Sequence, residues 1–191
     1  MMRRLSMAYY VRKFARAKWS LLERETEDII DNYKADTIAN DMRTMGNTLS
    51  LWKVDSLSDA DIEPVIVINS LLGDTISKLE LMFIPEQFIE NYTLEQDDGN
   101  TVVTNYCNLH YNITQLTVGK HILFAKEIML KIIDLEKQND NQPGHQPLIR
   151  RYKEKDQLGM IEKWIQMGEI DFSQLKEKQQ KAIADWCGAT A

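Results

Sequence analysis

The stretch that decides the fold is residues 47–84, NTLSLWKVDSLSDADIEPVIVINSLLGDTISKLELMFI. It begins with Asn47–Val54, where both alternating faces carry large apolar side chains, a pattern typical of a strand inside a sheet. Ser58-Asp-Ala-Asp61 is a helix-start signature, and we expect the helix to end at Gly73. Ser77–Ile84 alternates apolar with mainly polar residues, which predicts a half-buried strand. This order makes the region the centre of a mixed α and β domain.

Two elements are predicted before this stretch. The aromatic and Val-rich start of Ala8–Trp19 favours a strand that continues to about Phe14. Apolar side chains recur at helical spacing in Asp36–Met45, which predicts a short helix. Gly46 would end that helix, because glycine adopts a positive φ without steric cost.

Three elements are predicted after it. Pro85 suits the first position of a short helix that ends near Asn91. Asp97-Asp98-Gly99-Asn100 lies between two alternating segments and predicts a β-hairpin. Val118–Lys137 is the clearest helix, with one apolar stripe formed by Ile122, Ala125, Met129, Ile132 and Ile133.

The predicted fold class is α+β, a small mixed or antiparallel sheet packed by helices, with a C-terminal helical pair. We expect the core domain to cover residues 8–137. Residues 138–149 are almost entirely polar and form a linker or loop. Residues 150–191 form a helical appendage, in which two amphipathic helices are expected at about Asp156–Met167 and Ser173–Cys187.

Composition excludes several classes of protein. The chain of 191 residues is 43% hydrophobic and 27% charged, as an ordinary globular domain is. Its longest apolar run is far shorter than a membrane span, so we expect no membrane partner. Two cysteines 80 positions apart, without a secretory signal, fit a reducing compartment and no disulfide. We therefore expect a cytoplasmic protein.

The charge is unevenly distributed along the chain. Residues 1–19 hold six basic side chains and no acidic one, whereas residues 20–110 hold five basic and 18 acidic side chains. Two interpretations remain open: the basic segment binds phosphates, or it lies against the acidic part of its own chain. The candidate binding residues are Arg12, Lys13, Arg16 and Lys18. They interleave with the aromatic residues Tyr9, Tyr10, Phe14 and Trp19, a pattern that suits binding of single-stranded nucleic acid.

Candidate chemistry is sparse. His110 is the most interesting residue, but Cys107 and His110 supply only two of the four ligands of a structural zinc site, so no metal is predicted. Arg43 and Asn47 flank a tight turn that could present backbone N–H groups and a guanidinium to an anion. The pairs Asp59/Asp61 and Asp97/Asp98 are interpreted as capping and turn residues. The common nucleotide-binding and catalytic motifs are absent, so no cofactor is predicted.

Three functions follow, in this order of preference. The first is a non-catalytic interaction protein, an acidic adaptor or subunit with a protein partner or self-association through Trp164, Trp186, Met160 and Met167. The second is RNA or single-stranded DNA binding through the basic N-terminal segment. The third is a small enzyme with an unfamiliar site around His110 and Arg43. A deep cavity that holds His110 and Arg43 together would favour the third.

Overall fold

A computed structural model describes residues 8–15, 38, 41–99, 101–139 and 142–190 of the chain. Its six-stranded sheet has the order β4-β5-β2-β1-β3-β6, and every neighbouring pair is antiparallel. The strands are β1 Tyr9–Lys13, β2 Leu49–Val54, β3 Leu79–Pro85, β4 Leu94–Gln96, β5 His110–Ile113 and β6 Ile149–Tyr152.

The helices complete the α+β fold that the sequence predicts. They are α1 Asp59–Leu71, α2 Val118–Asn139, α3 Glu154–Gln166 and α4 Glu177–Thr190. Short 3-10 helices cover Glu86–Phe88, Thr104–Leu109 and Phe172–Gln174. Ser58 caps α1 as expected, because its Oγ accepts a hydrogen bond of 3.2 Å from the backbone N–H of Asp61. No helix among the described residues has the length and apolar content that crossing a membrane requires.

Helices pack on the central strands of the sheet and on one another. α1 packs on β2 and β3, α3 packs on α1, and α4 packs on α3. All seven residues of β3 are buried, so the half-buried strand expected at Ser77–Ile84 is a fully buried one. Alternation within that strand was misleading because Glu80 is buried while it pairs with the exposed Arg151, whose Nη2 lies 2.7 Å from the carboxylate.

α2 forms over the predicted residues, but its buried stripe differs from the expected one. The buried side chains are Phe124, Ala125, Ile128, Met129 and Ile132, whereas Ile122 and Ile133 are only partly buried. Phe124 packs edge-on against Tyr92, with ring centroids 5.0 Å apart. Phe124 therefore lies on the buried side of the helix.

The hairpin predicted at Asp97–Asn100 is wrong. β4 pairs with β5, Leu94 opposite Ile113, and residues 101–104 form no strand. Val103 is completely buried, so the chain after Gly99 turns into the core and reaches β5 through a 3-10 helix. Burial of this segment outweighs the local preference of Asp-Gly for a tight hairpin.

The C-terminal part of the chain adds a strand that the sequence analysis did not predict. β6 pairs with β3 at the edge of the sheet, and Phe83 N donates to Leu148 O over 2.7 Å. The residues from 150 onward therefore share the sheet and the helical layer with the residues before 137. Cys107 and Cys187 are not joined by a disulfide.

Candidate functional site

A cavity with a volume of about 1110 Å³ lies between the sheet and the C-terminal end of α1. β2 and β5 supply its floor, which is formed by Ser50, Trp52, His110 and Asn112. These four side chains share one face, because Ser50 lies opposite Asn112 and Trp52 lies opposite His110 in the strand register. Asn69 and Leu72 of the α1 end and the segment Asp97–Gly99 complete this part of the wall.

His110 and Asp97 form a hydrogen-bonded pair in this wall. The Nδ1 of His110 bonds to Oδ1 of Asp97, and the amide nitrogen of Asn112 donates to the other carboxylate oxygen. Ser50 Oγ donates to Asn112 Oδ1 over 3.0 Å, which holds the amide in turn. An ionised carboxylate only accepts hydrogen bonds, so with Asp97 ionised Nδ1 carries a hydrogen, and in the neutral ring Nε2 is then the acceptor. Within the described part of the chain, no hydrogen bond reaches Nε2.

Packing fixes the plane of the imidazole. Trp52 contacts His110 with ring centroids 4.8 Å apart and an interplanar angle of 60°. Gly99 covers the opposite part of the side chain so closely that a Cβ there would lie 2.7 Å from Cβ and Cγ of His110. His110 is only 9% exposed. The ring is therefore oriented by one hydrogen bond and two packing contacts.

Arg12 joins three segments at the opposite side of the cavity. Its Nε donates to the carbonyl of Asp41 over 2.9 Å, and its two terminal nitrogens donate to the carbonyls of Ser50 and Arg43 over 2.8 and 3.2 Å. Burial lowers the pKa of Arg12 to about 10, against the opposing effect of the Asp41 charge. Arg12 thus fixes the segment that carries Arg43 against β2.

A tight turn follows Arg43. Gly46 and Asn47 have φ values of 61° and 62°, and Met45 and Thr48 pair across them as in a type I′ turn. Gly46 is therefore a hairpin-turn residue, which corrects its predicted role as a helix stop. Met42–Thr44 are not helical, although Ile38 and Asp41 are, and the other residues of the helix predicted at 36–45 lie outside the described residues.

No known protein family, curated protein or solved structure matches this chain. The function must be inferred from the side chains of the cavity.

Four of the predicted binding residues lie around this one cavity, namely Arg12, Lys13, Arg43 and His110. Asn47 is exposed in the turn and does not line it. Arg16 and Lys18 lie outside the described residues. The partner of His110 is Asp97, while Cys107 lies in the preceding 3-10 helix.

The predicted interface residues pack largely within the chain. Trp164 is 4% exposed, and its indole N–H donates to Glu63 over 2.6 Å. Trp186 is partly buried and donates to Glu162 over 2.9 Å. Met160 is also partly buried, whereas Met167 is 62% exposed.

Sequence reasoning missed Asp97, Asn112, Ser50 and Trp52 as site residues. Asp97 was interpreted as a turn residue because Asp is common in turns. One signal was available: His110 and Asn112 are two residues apart, so in a strand they lie on one face. The pairing of β5 with both β2 and β4, which brings Ser50 and Asp97 to them, is a long-range property that no local pattern reports.

Proposed function

We propose that this chain binds a small molecule in the cavity and that His110 exchanges a proton with it. The observation that supports this most strongly is that the Asp97–His110 pair and Arg43 line the same cavity. A volume of about 1110 Å³ accommodates a small-molecule ligand with surrounding water.

The arrangement suits general acid–base catalysis. Asp97 holds Nδ1 and keeps Nε2 as the proton acceptor, and its negative charge stabilises the imidazolium that forms when Nε2 takes a proton. The proton can then return to a leaving or reacting group of the same ligand. A positioned base of this kind contributes roughly 10²- to 10⁴-fold in rate.

The alternatives have less support from the same structure. The interaction hypothesis depended on the absence of catalytic motifs, the uneven charge and an aromatic helical pair, and both indole N–H groups of that pair donate to glutamates of the same chain. The nucleic-acid hypothesis depended on a row of free basic side chains, and of the two that the structure describes, only Lys13 is exposed, because the nitrogens of Arg12 donate to backbone carbonyls. The proposal therefore follows the third of the three predicted functions.

The test uses the full chain and a small-molecule extract of the cells that express it. Mass spectrometry before and after incubation identifies metabolites that the protein consumes. We expect at least one to be consumed by the unmodified chain and about 100-fold more slowly by His110→Gln. His121→Gln is the matched control, because His121 lies in α2 outside the cavity.

Asp97→Asn is a second test variant, which keeps the proposal testable if His110→Gln does not fold. It keeps the size of the side chain while removing the charge, and it should lose most of the turnover while its thermal melt remains cooperative. Equal consumption by the unmodified chain, His110→Gln and Asp97→Asn would contradict the proposal. So would the absence of any consumed metabolite.

A further inference from the structure

The cavity is electrically divided. Lys13 and Arg43 line it and are exposed, and among the described residues neither side chain has a hydrogen bond or ion pair. The partly buried guanidinium of Arg12 adds positive charge beside them. At the other end the carboxylate of Asp97 is already occupied by His110 and Asn112. Asp98 lines the cavity beside Asp97 and adds negative charge at that end, so the positive charge without a partner among the described residues lies at the Lys13 and Arg43 end.

The end of the cavity at His110 and the end at Lys13 are separated by one intervening strand of the sheet. His110 is in β5 and Lys13 is in β1, and β2 lies between these strands. Two strand spacings place the ends about 10 Å apart. A ligand that reaches both ends thus carries its charged group about 10 Å from the atom that exchanges a proton with His110.

Apolar surface lies along the same cavity. Trp52 belongs to its floor, and Met45 and Leu72 line it while being 83% and 47% exposed. Such exposure of two large apolar side chains at the mouth of a polar cavity would suit the apolar body of a ligand.

We propose that the ligand is an amphipathic organic anion, bound through its charged group at Lys13 and Arg43 and through its apolar body at Trp52, Met45 and Leu72. This inference rests on the proposed function, since it names the ligand class of the same cavity. A carboxylate, a sulfonate and a phosphate share the chemistry that the two cations recognise.

The test compares two fluorescent probes that differ in one charge. Anilinonaphthalene sulfonate carries an anionic group on an aromatic body, and N-phenylnaphthylamine has the same body without it. We expect Arg43→Gln to weaken sulfonate binding about tenfold, because it removes a charge-assisted contact, and to leave the neutral probe unchanged. Lys155→Gln, which removes an exposed charge from α3 outside the cavity, should change neither affinity.

A second pair of variants tests the apolar contact. Met45→Ser should weaken both probes, and Met167→Ser, which alters an exposed methionine outside the cavity, should weaken neither. Hexanoate or hexyl phosphate should displace the sulfonate probe, and the better competitor identifies the preferred anion. All variants must first show the cooperative melt of the unmodified chain.

Three results would overturn the inference: unchanged sulfonate binding in Arg43→Gln, equal losses for both probes in that variant, or no displacement by either competitor. These results are independent of His110. If the probes bind as described but His110→Gln consumes metabolites normally, the proposed acid–base function fails and the anion site remains. If turnover depends on His110 but Arg43→Gln binds the sulfonate probe as tightly as the unmodified chain does, only the proposed ligand class is wrong.

Discussion

Gly99 lies directly against His110, with no room for a side chain between them. A Cβ added to Gly99 would be 2.7 Å from two atoms of His110 and 2.9 Å from the Trp52 ring. Distances below 3.0 Å are not tolerated, and Trp52 and His110 are both held in the wall by the sheet. The residue that lets the Asp97–Gly99 segment close over the imidazole is therefore glycine for steric reasons.

Gly99→Ala should displace this segment and weaken the bond between Asp97 and His110. We expect a loss of about 1–3 kcal/mol in the free energy of unfolding, as overpacking typically costs. Urea denaturation measures it. Gly159→Ala is the matched control: a Cβ there meets nothing within 4 Å, and the residue lies inside α3. The control should stabilise the chain by about 0.5–1 kcal/mol, since alanine favours a helix. A Gly99 variant as stable as the unmodified chain would refute the close packing.

Arg12→Met should destabilise the fold, although it removes only one basic side chain from a basic segment. It leaves the carbonyls of Asp41 and Ser50 without their donor, which costs about 1–3 kcal/mol. Lys13→Gln, one residue further along β1 and exposed, should change stability by less than about 0.5 kcal/mol. Thermal or urea unfolding of the two variants makes the comparison. Equal stabilities would mean that Arg12 does not hold the segment before β2.

Glu63 should make the contact between α1 and α3 sensitive to acid. Burial alone would raise the pKa of Glu63, but hydrogen bonds from Lys163 and Trp164 outweigh it, so the pKa is lowered from 4.5. The unfolded chain then binds the proton more readily than the folded chain. The ionised Glu63 therefore stabilises the fold above pH 4.5, and this stabilisation is lost as the pH falls through the lower pKa of the folded state.

Glu63→Gln tests this linkage. At neutral pH it should lower the free energy of unfolding by no more than about 1 kcal/mol, as for a partly exposed ion pair. The difference from the unmodified chain should shrink at about pH 4 and below, where protonation has already removed the charge. Glu90→Gln, at an exposed position outside any helix, is the matched control. A difference that stays constant with pH would count against the lowered pKa.

Local signals were enough to predict most of the elements. Ser58 caps a helix because its hydroxyl reaches the N–H of Asp61, an interaction contained within four consecutive residues. Asn47–Val54 reads as a strand of the sheet interior because both its faces are apolar. The strand β6 was missed because Arg150 and Arg151 give it no apolar alternation. Its place depends on pairing with β3 and on the contact of Arg151 with Glu80, some 70 residues earlier in the chain.

The site was predictable only in part, for a related reason. His110 and Arg43 were singled out by residue type, because an imidazole can exchange protons and a guanidinium can bind anions. Asp97 was assigned to a turn, and nothing near it in sequence connects it to His110, 13 residues later. The connection is made by the β4–β5 pairing, which replaced the hairpin that Asp-Gly predicted. The error in topology and the missed hydrogen-bond partner of His110 are thus one error.

Nitrogen NMR of the His110 ring in the full chain tests the central claim most directly. Under mildly alkaline conditions the neutral imidazole should carry its hydrogen on Nδ1, bonded to Asp97, with Nε2 unprotonated. In Asp97→Asn the two tautomers should become mixed, because the amide can both donate and accept. A ring protonated mainly on Nε2, or one whose signals are the same in Asp97→Asn, would contradict the claim that Asp97 prepares His110 for proton exchange.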